Sequence, residues 1–292
     1  MRFTLKHLQV FLAVARHENV SVAARELAMS QSAASTALKE FEQRFDMNLF
    51  DRVGKRLHLN DQGSMLRPKA AALISQAREL EKTLLAHDEV GQLNVGATLT
   101  IGNYLAVSIM AEFMKTHPAA GVALTVENTA AIARKVKNFE LDIGLVEGEL
   151  TEPELEVIYW RDDELTSFAR PDHPLAQKPS LIDADLLEAD WIVRERGSGT
   201  RQAFDRAMHG ILPNVKLRLE LQHTEGIKRA VEAGLGVGCL SKLTLEDAFR
   251  RGSLVPLAVP QRDWTRKFYF ILHRQKFLTS GVQSWMEYCR QV

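Results

Sequence analysis

The sequence has only two cysteines, no excess of either charge and no hydrophobic run that could cross a membrane. Cys239 and Cys289 stand far apart and offer neither a disulfide framework nor a cysteine-based metal site. They suit a reducing compartment, either as two isolated structural thiols or as the two halves of a redox switch. The 37 basic and 37 acidic side chains give a formal net charge of zero, so the whole molecule is not a generic polyanion binder.

The amino-terminal stretch lacks the marks of an export signal. Its apolar residues are interrupted by Lys6, His7 and Gln9, and no small-residue cleavage site follows them. We therefore expect a protein of the cytoplasm.

Catalytic and metal-binding motifs are also missing. The nine histidines form no HExxH pattern and no cluster with cysteine. Ser198 is the best candidate nucleophile, but it lacks the G-x-S-x-G elbow. Gly234, Gly236 and Gly238 lie between a predicted helix and a predicted strand, which is the wrong order for a dinucleotide motif. The sequence therefore predicts no enzyme, no cofactor and no metal site.

Length and charge distribution indicate two domains with different roles. The 292 residues, 46% of them hydrophobic and 25% charged, fit a globular protein of two domains. Residues 1–58 contain nine basic and six acidic side chains, an excess of three positive charges. This excess favours an amino-terminal part that faces nucleic acid.

Residues 19–45 contain two helical patterns separated by a break too short for a loop. The second helix begins after Ser30, whose hydroxyl can cap it. Its outward face carries short hydrogen-bonding side chains and one cation: Gln31, Ser32, Ser35, Thr36 and Lys39. A helix in a DNA major groove needs such side chains, although an ordinary helical hairpin with a solvated face explains them equally well.

A second candidate DNA contact follows the helices. Two short apolar segments flank a glycine turn, and this pattern predicts a two-stranded β-wing. The cations of the wing are Arg52, Lys55 and Arg56. In a wing they would contact phosphates or the minor groove, and the alternative is a solvated basic loop.

Residues 1 to about 63 resemble the winged helix-turn-helix domain of LysR-type transcriptional regulators. The shared motifs are Ser30-Gln31-x-Ala33-x-Ser35, Leu49-Phe50-x-Arg52, and Arg56 with Gly63. Two positions depart from the family pattern, which usually has proline at Ser32 and often arginine at Thr36. Without that arginine, we expect base readout by Ser32, Ser35 and Thr36 and by DNA shape.

The apolar pattern of residues 61–87 predicts one long helix. Its apolar positions have the spacing of a coiled-coil seam: Leu66, Ala70, Leu73, Ala77, Leu80 and Leu84. The seam is shorter than three heptads, so packing against a domain wall is the alternative to dimerisation. The family resemblance implies a dimer helix, and a homodimer or a tetramer built from two dimers.

From Leu93 onward, strand and helix patterns alternate, which predicts an α/β domain with a parallel sheet. Two α/β units follow each other, and a last strand and helix return to the first. The expected divisions are 1–60, 61–90 and 91–292, with lobe 1 at about 91–161 and 266–292 and lobe 2 at about 162–265. This part resembles the effector-binding half of LysR regulators, which has the fold of two-lobed periplasmic binding proteins.

Ligands of open α/β sheets bind beyond the carboxyl ends of the strands, where helix N termini meet. We predict a small-anion site where four strand-to-helix junctions converge, one of them at His223-Thr224-Glu225. The candidate residues are Thr98, Thr100, Ile101, Gly102, Asn103, Thr129, Arg194, Gly197, Ser198, Gly199, Thr200 and Arg201. Helix capping is the alternative role of each hydroxyl by itself.

Glu147 ends a predicted strand and would face the same cleft. A carboxylate beside an anion is unfavourable unless the ligand carries a proton or an amine, or Arg194 or Arg201 offsets the charge. We interpret Glu147 as a residue that rejects fully deprotonated oxyanions such as sulfate and accepts an oxyanion that bears a proton. A salt bridge from Glu147 to Arg201 that ties the lobes together is the alternative.

The segments FDRVGKR, DIGLVEG, RERGSGTR and HRQKFL resemble the YeiE- and CysL-like branch of the LysR family, whose members are linked to sulfur oxyanions, sulfite in particular. The resemblance implies a regulator that binds double-stranded promoter DNA and responds to a small anionic effector, with RNA polymerase as a further partner. The alternative function is a cytoplasmic binding protein for a small anion or an amino acid, without a DNA role.

Overall fold

The computed structural model describes residues 2–53, 56–85 and 91–291. They fall into two units: a head, which is residues 2–53 and 56–85 together with the short segments 137–139 and 275–279, and a body, which is residues 91–136, 140–274 and 280–291. The predicted DNA contact Lys55 and the side chain of the predicted seam residue Leu84 lie outside this description.

The head is helical apart from one antiparallel ribbon. Its elements are α1 (Leu5–His17), α2 (Val20–Glu26), α3 (Gln31–Arg44), β1 (Phe50–Val53), β2 (Arg56–Leu59) and α4 (Asp61–Leu85). The predicted cap of α3 is confirmed, because the Ser30 hydroxyl accepts a hydrogen bond from the Ala33 N–H at 3.2 Å. Ala23 and Ala34 are fully buried, so α1, α2 and α3 can pack closely around Phe11. The two predicted strands of the wing are confirmed as well.

The long helix α4 contributes some of its apolar residues to the core of the head and exposes others. Ala70 and Ile74 are buried in the core of the head and Leu66 packs against it, whereas Leu73 and Leu80 are exposed. At Leu66 and Ala70 the structure agrees with the predicted alternative, packing against a domain wall, because the first turns of α4 cover the core of the head. The dimer role of the helix stays a prediction.

The body is built on one sheet with helices packed around it. Its strands are β3 (Leu93–Ala97), β4 (Val122–Val126), β5 (Ile143–Glu147), β6 (Leu155–Ala169), β7 (Asp190–Arg194), β8 (Lys216–Leu221), β9 (Val237–Ser241), β10 (Val255–Leu257) and β11 (Thr265–His273). Its helices are α5 (Leu99–Ile101), α6 (Val107–Thr116), α7 (Thr129–Lys137), α8 (Asp183–Glu188), α9 (Gly199–Ala207), α10 (Thr224–Glu232), α11 (Glu246–Arg250) and α12 (Ser280–Arg290).

Two antiparallel strands join the lobes. The strand order is β4-β3-β5-β11-β6-β9-β7-β8, and β10 pairs with β6. Lobe 1 contains the parallel strands β3, β4 and β5, and lobe 2 contains the parallel strands β7, β8 and β9. The two-lobed α/β fold is thus confirmed, but the sheet is mixed, because β6 and β11 run antiparallel to their neighbours.

Each lobe has its own hydrophobic core. Phe113 and Trp285 are central in lobe 1, and Trp191 and Phe204 are central in lobe 2. Cys289 is buried in the first core and Cys239 in the second. Burial raises the pKa of both thiols well above the ordinary value, so both stay protonated and serve as packing residues.

Within the described residues, no helix combines the length and the apolar character that a membrane span requires.

Candidate functional site

The head presents one polar face with adjacent cations. The predicted reading residues follow one side of α3: Gln31, Ser32, Ser35, Thr36 and Lys39. Ser35 is half-buried and the other four are exposed, as are Arg52 and Arg56 on the wing. A groove of about 390 Å³ separates α3 from the wing, and Ser35, Lys39 and Arg52 line it. Hydrogen-bonding groups and cations on one side are what contact with bases and phosphates requires.

In the body, the carboxylate of Glu147 lies at the meeting point of both lobes. Glu147 is only 1% exposed, and three threonine hydroxyls donate to it: Thr98 at 2.7 Å, Thr100 at 3.3 Å and Thr200 at 3.1 Å. Thr98 and Thr100 stand at the start of α5 in lobe 1, and Thr200 stands in the first turn of α9 in lobe 2. Helix N termini carry partial positive charge, so both helices stabilise the carboxylate.

Arg266, on the crossing strand β11, completes this arrangement. Its Nη1 donates to the Thr200 hydroxyl at 2.8 Å and lies 3.5 Å from Glu147 Oε1, and its Nη2 donates to the Thr100 hydroxyl at 3.2 Å. Its Nε pairs with Asp163 Oδ2 at 2.6 Å on β6, the other crossing strand. Arg266 therefore contacts both lobes and both connecting strands. We call Thr98, Thr100, Glu147, Asp163, Thr200 and Arg266 the Glu147 network.

The predicted alternative, a salt bridge from Glu147 to Arg201, is wrong. Arg201 pairs with Asp205 at 2.8 Å and with Glu220 at 2.7 Å, both within lobe 2. Its position on α9 directs the guanidinium toward β8 rather than toward β5. Arg194 is not the partner of Glu147 either, because its guanidinium is bound by the neighbouring carboxylate of Glu195.

Arg266 was missed at the sequence level, although one signal was present. In β11, Arg266, Phe268 and Phe270 alternate on the buried side of the strand. A side-chain period of two therefore places Arg266 at a core position. A buried arginine requires a carboxylate partner, and that requirement could have directed attention to Glu147 and Asp163.

The other predicted residues take different positions. Thr129 donates to the Glu147 carbonyl at 2.9 Å and accepts from the Gly199 N–H at 3.1 Å, so it connects β5 with α9. Ser198 caps α9 by accepting from the Thr200 N–H at 3.2 Å.

Ile101 is wrong as a ligand contact through its side chain, which is fully buried in the lobe 1 core. Gly102 packs against Val126, Asn103 is exposed, and Gly197 accepts from the Ala130 N–H across the lobes.

A second bridge between the lobes was not predicted. The Tyr104 hydroxyl of lobe 1 donates to Glu225 Oε1 at 2.9 Å and accepts from Lys228 Nζ at 3.0 Å in lobe 2. Burial raises the pKa of Tyr104, whereas Lys228 keeps a raised pKa because its bonds to Glu225 and Tyr104 outweigh burial. Tyr104 belongs to a π-helical turn, Gly102–Ala106, and such turns are frequent at functional sites.

Two cavities flank the Glu147 network. One of about 590 Å³ is lined by Thr129, Ser198, Gly199 and Arg201, among others. The other, of about 560 Å³, reaches Asp163 and Arg266 from the side of the crossing strands. Among the residues that the structure describes, no group of three or more His, Cys, Asp or Glu side chains is arranged to hold a metal ion.

Comparison with known families covers nearly the whole chain. The family described as "Bacterial regulatory helix-turn-helix protein, lysR family" matches residues 5–64. The family described as "LysR substrate binding domain" matches residues 86–292.

Individual relatives agree with these matches. The chain is 39% identical over 289 residues to the uncharacterized HTH-type transcriptional regulator YeiE of Escherichia coli (strain K12), covering 99% of this chain and 98% of that protein. It is 30% identical over 268 residues to the HTH-type transcriptional regulator CysL of Bacillus subtilis (strain 168), covering 90% and 89%. Among solved structures, the Synechocystis PCC6803 CcmR regulatory domain in complex with 2-PG has a TM-score of 0.64 at 31% identity, covering 69% of this chain and 96% of that chain.

Proposed function

The chain belongs to the LysR family of transcriptional regulators, and from this premise we propose that it adjusts transcription in response to a small oxyanion that carries a proton, with sulfite as the first candidate. Membership of the family makes it a DNA-binding regulator with an effector-binding domain. The predicted resemblance, including its YeiE- and CysL-like character, is confirmed. A binding protein without a DNA role does not fit, because the family match includes the helix-turn-helix of the head.

The net charge of the Glu147 network is the main support for an effector that carries a proton. Glu147, Asp163 and Arg266 are all nearly inaccessible, and two carboxylates face one guanidinium. The cluster therefore holds one surplus negative charge away from water, which is costly. A fully deprotonated oxyanion would add to that charge. An oxyanion with a proton can instead donate to Glu147 while it accepts from the threonine hydroxyls, and sulfite carries such a proton in part near neutral pH whereas sulfate does not.

Replacing Glu147 by glutamine tests this proposal. The amide has the same shape but no charge, so Glu147→Gln should bind sulfate better and sulfite worse, and the preference for sulfite should fall by about tenfold or more. Isothermal titration of the full-length protein with sodium sulfite and sodium sulfate measures both affinities. Glu112→Gln is the matched control, because the Glu112 carboxylate on α6 is 61% exposed, lines neither cavity and should leave the preference unchanged. An unaltered ratio in Glu147→Gln would remove the proposed role.

For the head, we propose that α3 reads bases and that the wing holds phosphates. Arg52→Ala should weaken binding to every DNA sequence and reduce the slope of log K against log salt by about one. Ser35→Ala should instead reduce the preference at one or two base pairs and leave the salt slope intact. Fluorescence anisotropy on a promoter fragment and a scrambled fragment, each over a range of KCl, separates the two. Equal behaviour of both variants would contradict the assignment.

For assembly, we propose a homodimer, or a tetramer of two dimers, in which α4 supplies part of the contact. The support is the exposure of two leucines one heptad apart, Leu73 at 44% and Leu80 at 62%. A dimer presents two reading helices to the two halves of a partly palindromic site. RNA polymerase is the further partner that we propose for a regulator acting in the cytoplasm.

A further inference from the structure

Helix α10 begins without a side-chain cap. It runs from Thr224 to Glu232, and the residue before it, His223, makes no side-chain bond to its first turn in the described structure. The N–H of Ile227 bonds to the His223 carbonyl at 3.2 Å, whereas the N–H groups of the turn before it have no acceptor within the helix. Such a turn carries partial positive charge and favours an anion.

Nη1 of Arg194, at the end of β7, and Oγ1 of Thr224, at the start of α10, are buried and have no partner among the described residues. Arg194 is 1% exposed and Thr224 is 3% exposed. Nε and Nη2 of Arg194 bind Glu195, so only Nη1 is left. Buried polar groups are rarely left unpaired, because an unmade hydrogen bond costs the full desolvation of the group.

The packing of α10 on β7 brings Arg194 and Thr224 to the same edge of the sheet. Ile192 of β7 and Ile227 of α10 belong to one hydrophobic cluster, so the strand face that carries Ile192 is covered by α10. Arg194 lies two residues beyond Ile192, on the same face of the strand. Thr224 lies three residues before Ile227, on the same face of the helix. Both side chains therefore continue this contact to the carboxyl edge of the sheet.

This edge faces the cleft. The residue after Thr224 is Glu225, which accepts a hydrogen bond from the Tyr104 hydroxyl of lobe 1. On the other side, Asn128 of lobe 1 donates to Glu195 at 3.2 Å. Residues of lobe 1 thus contact the chain neighbours of both Arg194 and Thr224.

We propose that Arg194 Nη1, Thr224 Oγ1 and the first turn of α10 form a second oxyanion site in the cleft, which takes the oxygens of an ionised carboxylate, sulfonate or phosphate. Its charge differs from that of the Glu147 network. Arg194 is balanced by Glu195, and Lys228 is balanced by Glu225. The helix N terminus adds partial positive charge to this neutral surrounding, so a fully ionised group is favoured. This inference rests on the proposed function only in placing ligands in the interlobe cleft.

The group bound there has two possible sources with the same chemistry. It is either a separate inorganic anion or the second acidic group of an effector whose first group lies at Glu147. Inorganic sulfate, which is fully ionised at neutral pH, represents the first source, and sulfoacetate, which carries a sulfonate and a carboxylate, represents the second.

The test compares isosteric variants of the full-length protein by isothermal titration with sodium sulfate, sulfoacetate and sodium sulfite. Thr224→Val removes the unpaired hydroxyl and keeps the shape of the side chain. Arg194→Lys keeps the charge opposite Glu195 but loses the planar fork. Ser167→Ala is the matched control, because Ser167 Oγ on β6 is also buried without a partner in the described structure but does not lie at α10.

We expect Thr224→Val and Arg194→Lys to weaken binding of the relevant probe about tenfold, which is the effect of one hydrogen bond to a charged group, and Ser167→Ala to leave it unchanged. Weakened sulfate binding identifies a separate anion, and weakened sulfoacetate binding alone identifies a second group on one effector. If the wild-type protein binds neither probe, or if Thr224→Val binds both as the wild type does, the second site does not exist. A wild-type protein that binds sulfate but no sulfite would contradict the proposed effector and leave this site intact.

Discussion

Replacing Arg266 by methionine is expected to destabilise the body by about 3–5 kcal/mol and to remove its affinity for oxyanions. Methionine fills most of the space of the arginine, so the loss comes from charge rather than from a cavity. Without the guanidinium, Glu147 and Asp163 stay buried with no cation beside them. Thr100 and Thr200 also lose the donor that fixes the direction of their hydroxyls toward Glu147.

Tryptophan fluorescence is a suitable measurement, because the four tryptophans of the chain all lie beyond residue 93 and report on the body alone. Urea titration should yield the lost stability, and thermal unfolding should shift down by about 10 °C. The matched control is Arg250→Met. Arg250 forms an exposed pair with Asp247 at 3.1 Å, and loss of such a pair should change stability by less than about 1 kcal/mol. If Arg266→Met were as stable as this control and bound sulfite normally, the network would have no role in the cleft.

The parts of the molecule that local residues determine could be predicted from the sequence. Ser30 at the start of α3 has its cap acceptor in its own side chain, so neighbouring residues are enough to place the helix. The threonines of the cleft were found for a similar reason. Thr98 and Thr200 each stand where a strand gives way to a helix, and the carboxyl edge of a sheet brings such junctions together.

The partner of Glu147 could not be predicted, because it depends on the register of strands that are distant in sequence. Phe268 of β11 lies opposite Glu147 of β5, and this pairing brings Arg266, two residues before Phe268, beside the carboxylate. Arg201 was expected instead because it is close to Thr200 in sequence. Nothing in the local pattern distinguishes an arginine that turns toward β8 from one that turns toward β5.

Two further differences have a common physical cause. The turn at Tyr104 is π-helical, although its sequence has the pattern of an ordinary helix, and it carries the hydroxyl that donates to Glu225 of lobe 2. Ala70 has the spacing of a seam residue, but the first turns of α4 cover the core of the head. In both cases, tertiary packing decides between arrangements that local periodicity allows.

Gly199→Ala is expected to lower the affinity for sulfite about 100-fold or more, since the substitution acts where the backbone of α9 in lobe 2 comes close to the backbone of Glu147 in lobe 1. A Cβ atom on Gly199 would lie 1.9 Å from the carbonyl oxygen of Glu147 and 2.4 Å from its carbonyl carbon. Both are backbone atoms, which cannot move aside as the end of a side chain can. The start of α9 would therefore have to withdraw from β5, and the bonds from Thr200 to Glu147 and from the Gly199 N–H to Thr129 would break.

Isothermal titration with sulfite measures this effect, and Gly121→Ala is the matched control. A Cβ at Gly121, just before β4, would meet only the amide end of the Gln92 side chain, which can move aside, so sulfite binding should stay at wild-type strength. Binding of sulfite by Gly199→Ala at wild-type strength would mean that the ligand does not need Thr200 and Glu147 together. Because residue 199 lies in the body and α3 in the head, Gly199→Ala should still bind promoter DNA, and it should do so equally with and without sulfite. A variant that binds DNA but no longer responds to sulfite separates loss of sensing from loss of folding.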